Sequence, residues 1–163
     1  MENIIIKSVR EPYKRKKDIR NLFCYIAGEC DSKEEITRYC CGEGVSLKPE
    51  KAAERMISVQ ESFGKAKQKH GKKASRRIYH YIVSFPLSVN DTNCVKLVAI
   101  EIARIFSEQY QVYYGVHEDE EHLHIHFAIN AVSYVDGKKW HKSKRELEGL
   151  EAQIREKAQA AWD

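Results

Sequence analysis

No apolar run in the 163-residue sequence approaches the roughly 20 residues that a membrane-spanning helix needs, so a helical membrane protein is not expected. The start, MENIIIKSVR, carries an acid near its first position and only three consecutive apolar residues, which is unlike a secretory leader. Nor is there a paired CxxC spacing. The five cysteines, Cys24, Cys30, Cys40, Cys41 and Cys94, are odd in number, and they suggest neither a disulfide framework nor a cysteine zinc site. These absences point to a cytoplasmic address with reduced thiols and no membrane partner. Internal repeats are also lacking, and the length suits one domain, residues 1–163, with a proper core.

Acids are missing from KAKQKHGKKASRR (65–77), which holds seven lysines and arginines, and YKRKKDIR (13–20) holds five more basic residues. The net charge of +4 is modest, but this clustering suits a polyanion as well as it suits a solvated loop. Lys14, Arg15, Lys16, Lys17, Lys72, Lys73, Arg76 and Arg77 are the candidate contacts to a nucleic acid.

Periodicity organises the rest. NIIIKSV (3–9) reads as a first strand, and KDIRNLFCYIAG (17–28) as a helix, with Ile19, Leu22, Phe23 and Ile26 at helical spacing and Gly28 as its stop. EEITRYCCGEGVS (34–46) is either a short strand or an ordered loop. A second helix begins near Pro49, with an apolar face of Ala52, Met56, Val59 and Phe63. RRIYHYIVSFP (76–86) reads as a central strand, and residues 90–110 form the clearest helix, capped by Asn90 or Asp91. Strands 111–117 and 122–135 follow as a hairpin across EDEE, and then comes a final helix from Ser143. The expected class is α+β, with a central antiparallel sheet and flanking helices.

The stretch HEDEEHLHIHFAIN (117–130) places four of the chain's seven histidines within ten positions. Residues two apart in a strand share a face, so His122, His124 and His126 lie on one side and Leu123, Ile125 and Phe127 on the other. The apolar side is expected to pack on helices, leaving the histidine side open. A hairpin brings His117 beside His124 and His126. Clustered imidazoles have few innocent explanations, because their protonated forms repel, whereas three neutral ones converging on a point suit a divalent transition metal. Spacing alone leaves open which three of the four bind. His80 falls on the same face as Ile78 and Ile82, where it either flanks this site or packs.

This arrangement resembles the metal motif of the conjugative relaxases, mobilisation nucleases within the HUH endonucleases. Their pattern is a histidine, an acid two residues on, His-x-His seven and nine positions after the first, and an asparagine four beyond. The matching positions are His117, Asp119, His124, His126 and Asn130. His122 then stands outside the primary triad. RRIYHYIVSFP, AVSYVDGKKWHKSKREL and RYCCGEGVS are similar to neighbouring segments of the family, though less specifically.

The resemblance implies a ferredoxin-like, palm-type fold and a tyrosine that attacks one phosphodiester at a transfer origin, keeping the 5′ phosphate on the enzyme and permitting later rejoining. LFCYIAGE matches the family's nucleophile helix, L-x-x-Y-[IL], and names Tyr25, although Tyr25 also has the spacing of a core aromatic. Tyr13 and Tyr39 are reserves. Mn²⁺ or Mg²⁺ is the implied cofactor, while three imidazoles would by softness also accept Zn²⁺ or Ni²⁺. Asp119 is expected to orient a ligand imidazole, and Asn130, Lys144 and Arg145 to touch DNA. The implied partners are single-stranded or melted origin DNA and an accessory relaxosome protein. Three other readings stand beside this one: a non-cleaving DNA-binding accessory, a rolling-circle replication initiator, and a zinc hydrolase with no need of a tyrosine.

Overall fold

The computed structural model describes residues 3–28, 37–43, 45–64, 76–118 and 121–162. Five strands, β1 (Ile5–Val9), β2 (Thr37–Glu43), β3 (Ile78–Ser84), β4 (Val112–His117) and β5 (His124–Asn130), form one sheet in the order β1-β3-β5-β4-β2. Every neighbouring pair is antiparallel. The helices are α1 (Lys16–Ala27), α2 (Pro49–Ser62), α3 (Thr92–Ser107) and α4 (Lys144–Gln159), the last running into a short 3-10 turn at Ala160–Trp162. The α+β class is as expected, and the segment left open between strand and loop pairs with β4 as a strand. Among the described residues no helix is long and apolar enough to cross a membrane.

Alternation along the central strands divides the sheet into two differently furnished faces. Tyr81, Val83, Val112, Tyr114, Val116, Ile125, Phe127 and Ile129 pack with α3 and α4 in one core. Ile78, Tyr113 and Ala128 pack on the opposite face with Ile19, Leu22, Phe23 and Ile26 of α1 and Ala52, Ala53, Met56 and Ile57 of α2. The histidines share this second face. It is therefore not open, as the alternation had suggested: three apolar residues at one end of it help to seat α1 and α2, and the last turns of α1 then cover the histidines at the other end.

Local signals explain α1. At its start the Asp18 carboxylate accepts from the Arg15 backbone N–H and guanidinium, and Gly28, with φ of 74°, ends it in the left-handed conformation that glycine adopts without strain. Its buried stripe is Ile19, Leu22, Phe23 and Ile26, each burial contributing about 1.5–3 kcal/mol. Phe23 stacks on Tyr113 with ring centres 4.9 Å apart and planes 4° from parallel.

Two elements differ from the periodic reading. The buried set of α2 includes Ala53, Ile57 and Gln60, whereas Phe63 is 42% exposed, so the helix is turned about one residue from the face expected of it. Gln60 explains the rotation: its amide donates to the Arg77 carbonyl and to Asn130, which requires it inside. β5 is shorter than residues 122–135. It ends at Asn130, after which the chain turns through Gly137 (φ 72°), and Val132 and Lys139 make an isolated bridge.

Candidate active site

The β4–β5 register sets His117 opposite His124, and the pleat puts His126 two residues further along the same face. Ring centres are 5.3 Å apart for His117 and His124, 4.4 Å for His117 and His126, and 5.1 Å for His124 and His126. One ring nitrogen from each lies within 4.8 Å of the others. All three are buried, His117 completely.

Their hydrogen bonds decide which nitrogens are left for a ligand. A carbonyl only accepts, so an imidazole nitrogen bonded to one must carry the proton. His117 Nε2 donates to the Ile26 carbonyl at 3.1 Å, and His124 Nδ1 donates to the His122 carbonyl at 3.1 Å. The lone pairs then fall on His117 Nδ1 and His124 Nε2. Ile26 lies in the last turn of α1, so this bond ties the His117 imidazole to the end of the helix and fixes its orientation. His126 contributes Nε2, which is buried and has no hydrogen-bond partner among the described residues. An orphaned buried nitrogen beside two others of fixed tautomer fits a divalent cation.

Desolvation, with His117, His80 and His124 adding smaller charge effects, pushes the His126 pKa down to about 2. Desolvation and the neighbouring His117 and Lys7 lower His80 to about 4. Both rings are neutral near pH 7, which is the form a metal ligand requires.

Tyr25 of α1 is half-buried and meets this cluster edge-on. Its ring centre lies 5.1 Å from that of His117 and 5.3 Å from that of His126. Beside it is a cleft of about 450 Å³ lined by Glu11, Tyr13, Arg15, Asp18, Asn21, Leu22, Tyr25 and His80. Tyr13 and His80 are brought here more intimately than spacing suggested. The Tyr13 hydroxyl is 2.8 Å from His80 Nδ1, and His80 Nε2 is 2.8 Å from His126 Nδ1. His80 had been placed on the histidine face by its phase with Ile78. Nothing in the sequence signalled that Tyr13, 67 positions away, would reach it. Burial, reinforced by Glu11, raises the Tyr13 hydroxyl to about pKa 12, so it stays protonated.

The remaining candidates scatter. Arg15 lines the cleft and pairs with Asp18, Lys16 pairs with Glu61 at 2.6 Å, and Lys14 and Lys17 share the same basic turn. Arg76 is turned inward, its guanidinium donating to the carbonyls of Val9, Arg10 and Glu11 and lying 4.9 Å from the centre of the Tyr79 ring. The Arg77 backbone N–H donates to the Pro12 carbonyl. Asn130 is corrected outright: it is wholly buried, its amide donating to Met56 and Gln111 and accepting from Gln60 and Val132, so it holds the scaffold rather than facing DNA. Lys144 and Arg145 are exposed at the start of α4, which packs on the face opposite the histidines. Asp119, Lys72 and Lys73 lie outside the described residues, as do the side chain of Tyr39 and most of the basic segment 65–77.

Comparison with known proteins adds two findings. The family model described as relaxase, MobA/VirD2-like, nuclease domain, matches residues 25–161. Protein rlx of Staphylococcus aureus is 29% identical over 93 residues, which cover 56% of this chain and 28% of that protein. The matched stretch is therefore well under a third of that relative's length.

Proposed function

The chain belongs to the MobA/VirD2-like relaxases, matching their nuclease domain, and from that premise we propose that it nicks one DNA strand at a transfer origin with Tyr25 as nucleophile. Relaxases of this family bind DNA and serve mobilisation, and the family points to a DNA-cleaving enzyme. The finer chemistry is our reading of the site.

In that reading the Tyr25 oxygen attacks the scissile phosphorus. The new P–O bond forms as the bond to the 3′ oxygen breaks; the Tyr25 hydroxyl gives up its proton and the leaving 3′ oxygen takes one up, so the 5′ phosphate stays on Tyr25, the 3′ hydroxyl is free and no net proton is consumed. Because one ester replaces another, the reverse attack by a 3′ hydroxyl rejoins the strand and frees the tyrosine. A phenol with a pKa near about 10 is a poor nucleophile at neutral pH, so the phosphate needs activation. His117, His124 and His126 would hold a divalent cation, which when bound supplies charge neutralisation at the phosphate oxygens. Mn²⁺ or Mg²⁺ is the proposed physiological ion, with Zn²⁺ or Ni²⁺ able to occupy the same nitrogens. Arg15 and the basic turn around it would receive the strand at the cleft, and an accessory relaxosome protein would help open the origin.

The observation that carries this reading is the edge contact of Tyr25 with two members of the histidine triad. A non-cleaving accessory would be the better account had Tyr25 been buried away from the histidines, and the geometry lacks that feature. The test is incubation with single-stranded oligonucleotides from the transfer origin of its own element and Mn²⁺, followed by denaturing electrophoresis. We expect a metal-dependent covalent adduct that disappears in Tyr25→Phe. Tight DNA binding without any adduct would overturn the nickase, and an adduct surviving in Tyr25→Phe would overturn the choice of nucleophile.

A further inference from the structure

The second nitrogen of His126 meets a side chain, where His117 and His124 each bond a carbonyl. Its Nδ1 faces His80 Nε2 at 2.8 Å, and His80 Nδ1 faces the Tyr13 hydroxyl at 2.8 Å. His80 is 5% exposed, so water does not substitute freely for either contact. Each neutral imidazole has one donor and one acceptor, and the chain can therefore be protonated in two ways only. In one, Tyr13 donates to His80, His80 donates to His126, and the His126 proton sits on Nε2 among the other two rings. In the other, His126 Nδ1–H donates to His80, His80 Nδ1–H donates to the Tyr13 oxygen, and His126 Nε2 presents a lone pair. Only the second admits a cation.

The loop that delivers Tyr13 is built for this contact. Arg76 binds three successive carbonyls, those of Val9, Arg10 and Glu11, and the Arg77 N–H binds that of Pro12. Tyr13 itself has φ of 49°, and among the described residues it is the sole non-glycine with positive φ. Such a conformation is strained for a residue with a Cβ and persists only where its surroundings over-determine it. Here the strained backbone places one hydroxyl on one imidazole nitrogen.

We propose that His80 and Tyr13 are positioning residues for the metal: they hold His126 in the orientation and tautomer that bind a cation, and the second arrangement leaves the Tyr13 hydroxyl proton free to point into the cleft beside Tyr25. The inference rests on the triad's being a metal centre. It differs from that reading in assigning part of the affinity to two residues that touch no metal. Partners behind ligand imidazoles typically govern about 10–100-fold in metal affinity.

The test is Mn²⁺ affinity measured by isothermal titration calorimetry on DNA-free protein, with thermal melting of each variant alongside. We expect His80→Phe to weaken Mn²⁺ binding roughly 10–100-fold and His80→Gln, whose amide can accept from His126 and donate to Tyr13, to restore most of it. Tyr13→Phe should weaken binding roughly three- to tenfold, the net worth of one hydrogen bond. If His80→Phe fails to fold, His80→Gln and Tyr13→Phe still decide: the proposal requires near-normal affinity in the first and the stated loss in the second. Wild-type affinity in both His80→Phe and Tyr13→Phe, with binding lost in His126→Ala, would overturn the relay and leave the metal centre standing. Absence of Mn²⁺ binding by the wild type would overturn both together.

Discussion

The side-chain amide of Asn130 makes four hydrogen bonds, two as donor to the Met56 carbonyl and Gln111 Oε1 and two as acceptor from Gln60 Nε2 and the Val132 N–H. It joins β5, α2 and the residue before β4 in one buried node. Asparagine alone among residues of that size offers two donors and an acceptor in a plane. Asn130→Asp keeps the shape, removes both donors and buries a charge. We expect it to lower stability by about 2–4 kcal/mol in urea denaturation, because two acceptors lose their partners in a region closed to water. A variant as stable as wild type, but deficient in DNA binding, would reverse the scaffold assignment. Strand phase correctly put Asn130 on the histidine face. Its burial was not legible, because it depends on Gln60, a polar residue 70 positions away that hydropathy patterning assigns to solvent. The Tyr13–His80 contact escaped for a related reason: a left-handed non-glycine leaves no trace in a pattern of apolar and polar residues.

At the scale of the element, α1 carries the nucleophile candidate and closes the site. Ile19, Leu22, Phe23 and Ile26 fasten it to the sheet, and the Ile26 carbonyl at its last turn fixes His117. Fastening and chemistry thus sit on adjacent residues of one helix. Phe23, with no exposed surface and a stacked partner in Tyr113, is the anchor. Phe23→Ala is expected to cost about 3–5 kcal/mol of unfolding free energy, whereas Phe23→Leu, which keeps most of the volume, should cost under about 1.5 kcal/mol. Denaturation midpoints of the pair check this, and equal losses would mean that ring stacking rather than filled volume holds the helix. This element was legible almost residue for residue, since its stripe has helical spacing and Gly28 marks its end. What the stripe leaves undetermined is where the helix docks. Periodicity says which side of a helix is apolar but not which side of a sheet receives it, and so the roof over the histidines was missed.

At the scale of the whole molecule, the sheet separates two groups of basic residues that look equivalent in sequence. Lys14, Arg15, Lys16 and Lys17 cluster at the start of α1, where Arg15 lines the cleft beside Tyr25, while Lys144 and Arg145 begin α4 on the opposite face. A run of charge reports affinity for a polyanion, and only the fold says which run shares a side with the chemistry. Each phosphate of a single strand that the protein neutralises contributes a slope of about −0.7 to log K against log salt. If the strand enters by the α1 side, Lys16→Ala and Lys17→Ala should each weaken single-strand binding and flatten that slope by up to about 0.7. The double variant Lys144→Ala/Arg145→Ala should leave both affinity and slope near wild type. Fluorescence anisotropy of a labelled origin oligonucleotide across a salt series, in a Tyr25→Phe background so that cleavage does not intervene, measures all of these. The opposite outcome, with the α4 pair controlling the slope, would mean that the DNA wraps past the sheet edge, and the cleft beside Tyr25 would then be only one end of a longer path. Lys16 is already paired with Glu61, both half-exposed, and that pairing sharpens the expectation. An exposed ion pair is worth little, so the lysine can exchange a carboxylate for a phosphate at small cost, and Glu61→Gln should strengthen DNA binding while Lys16→Ala weakens it.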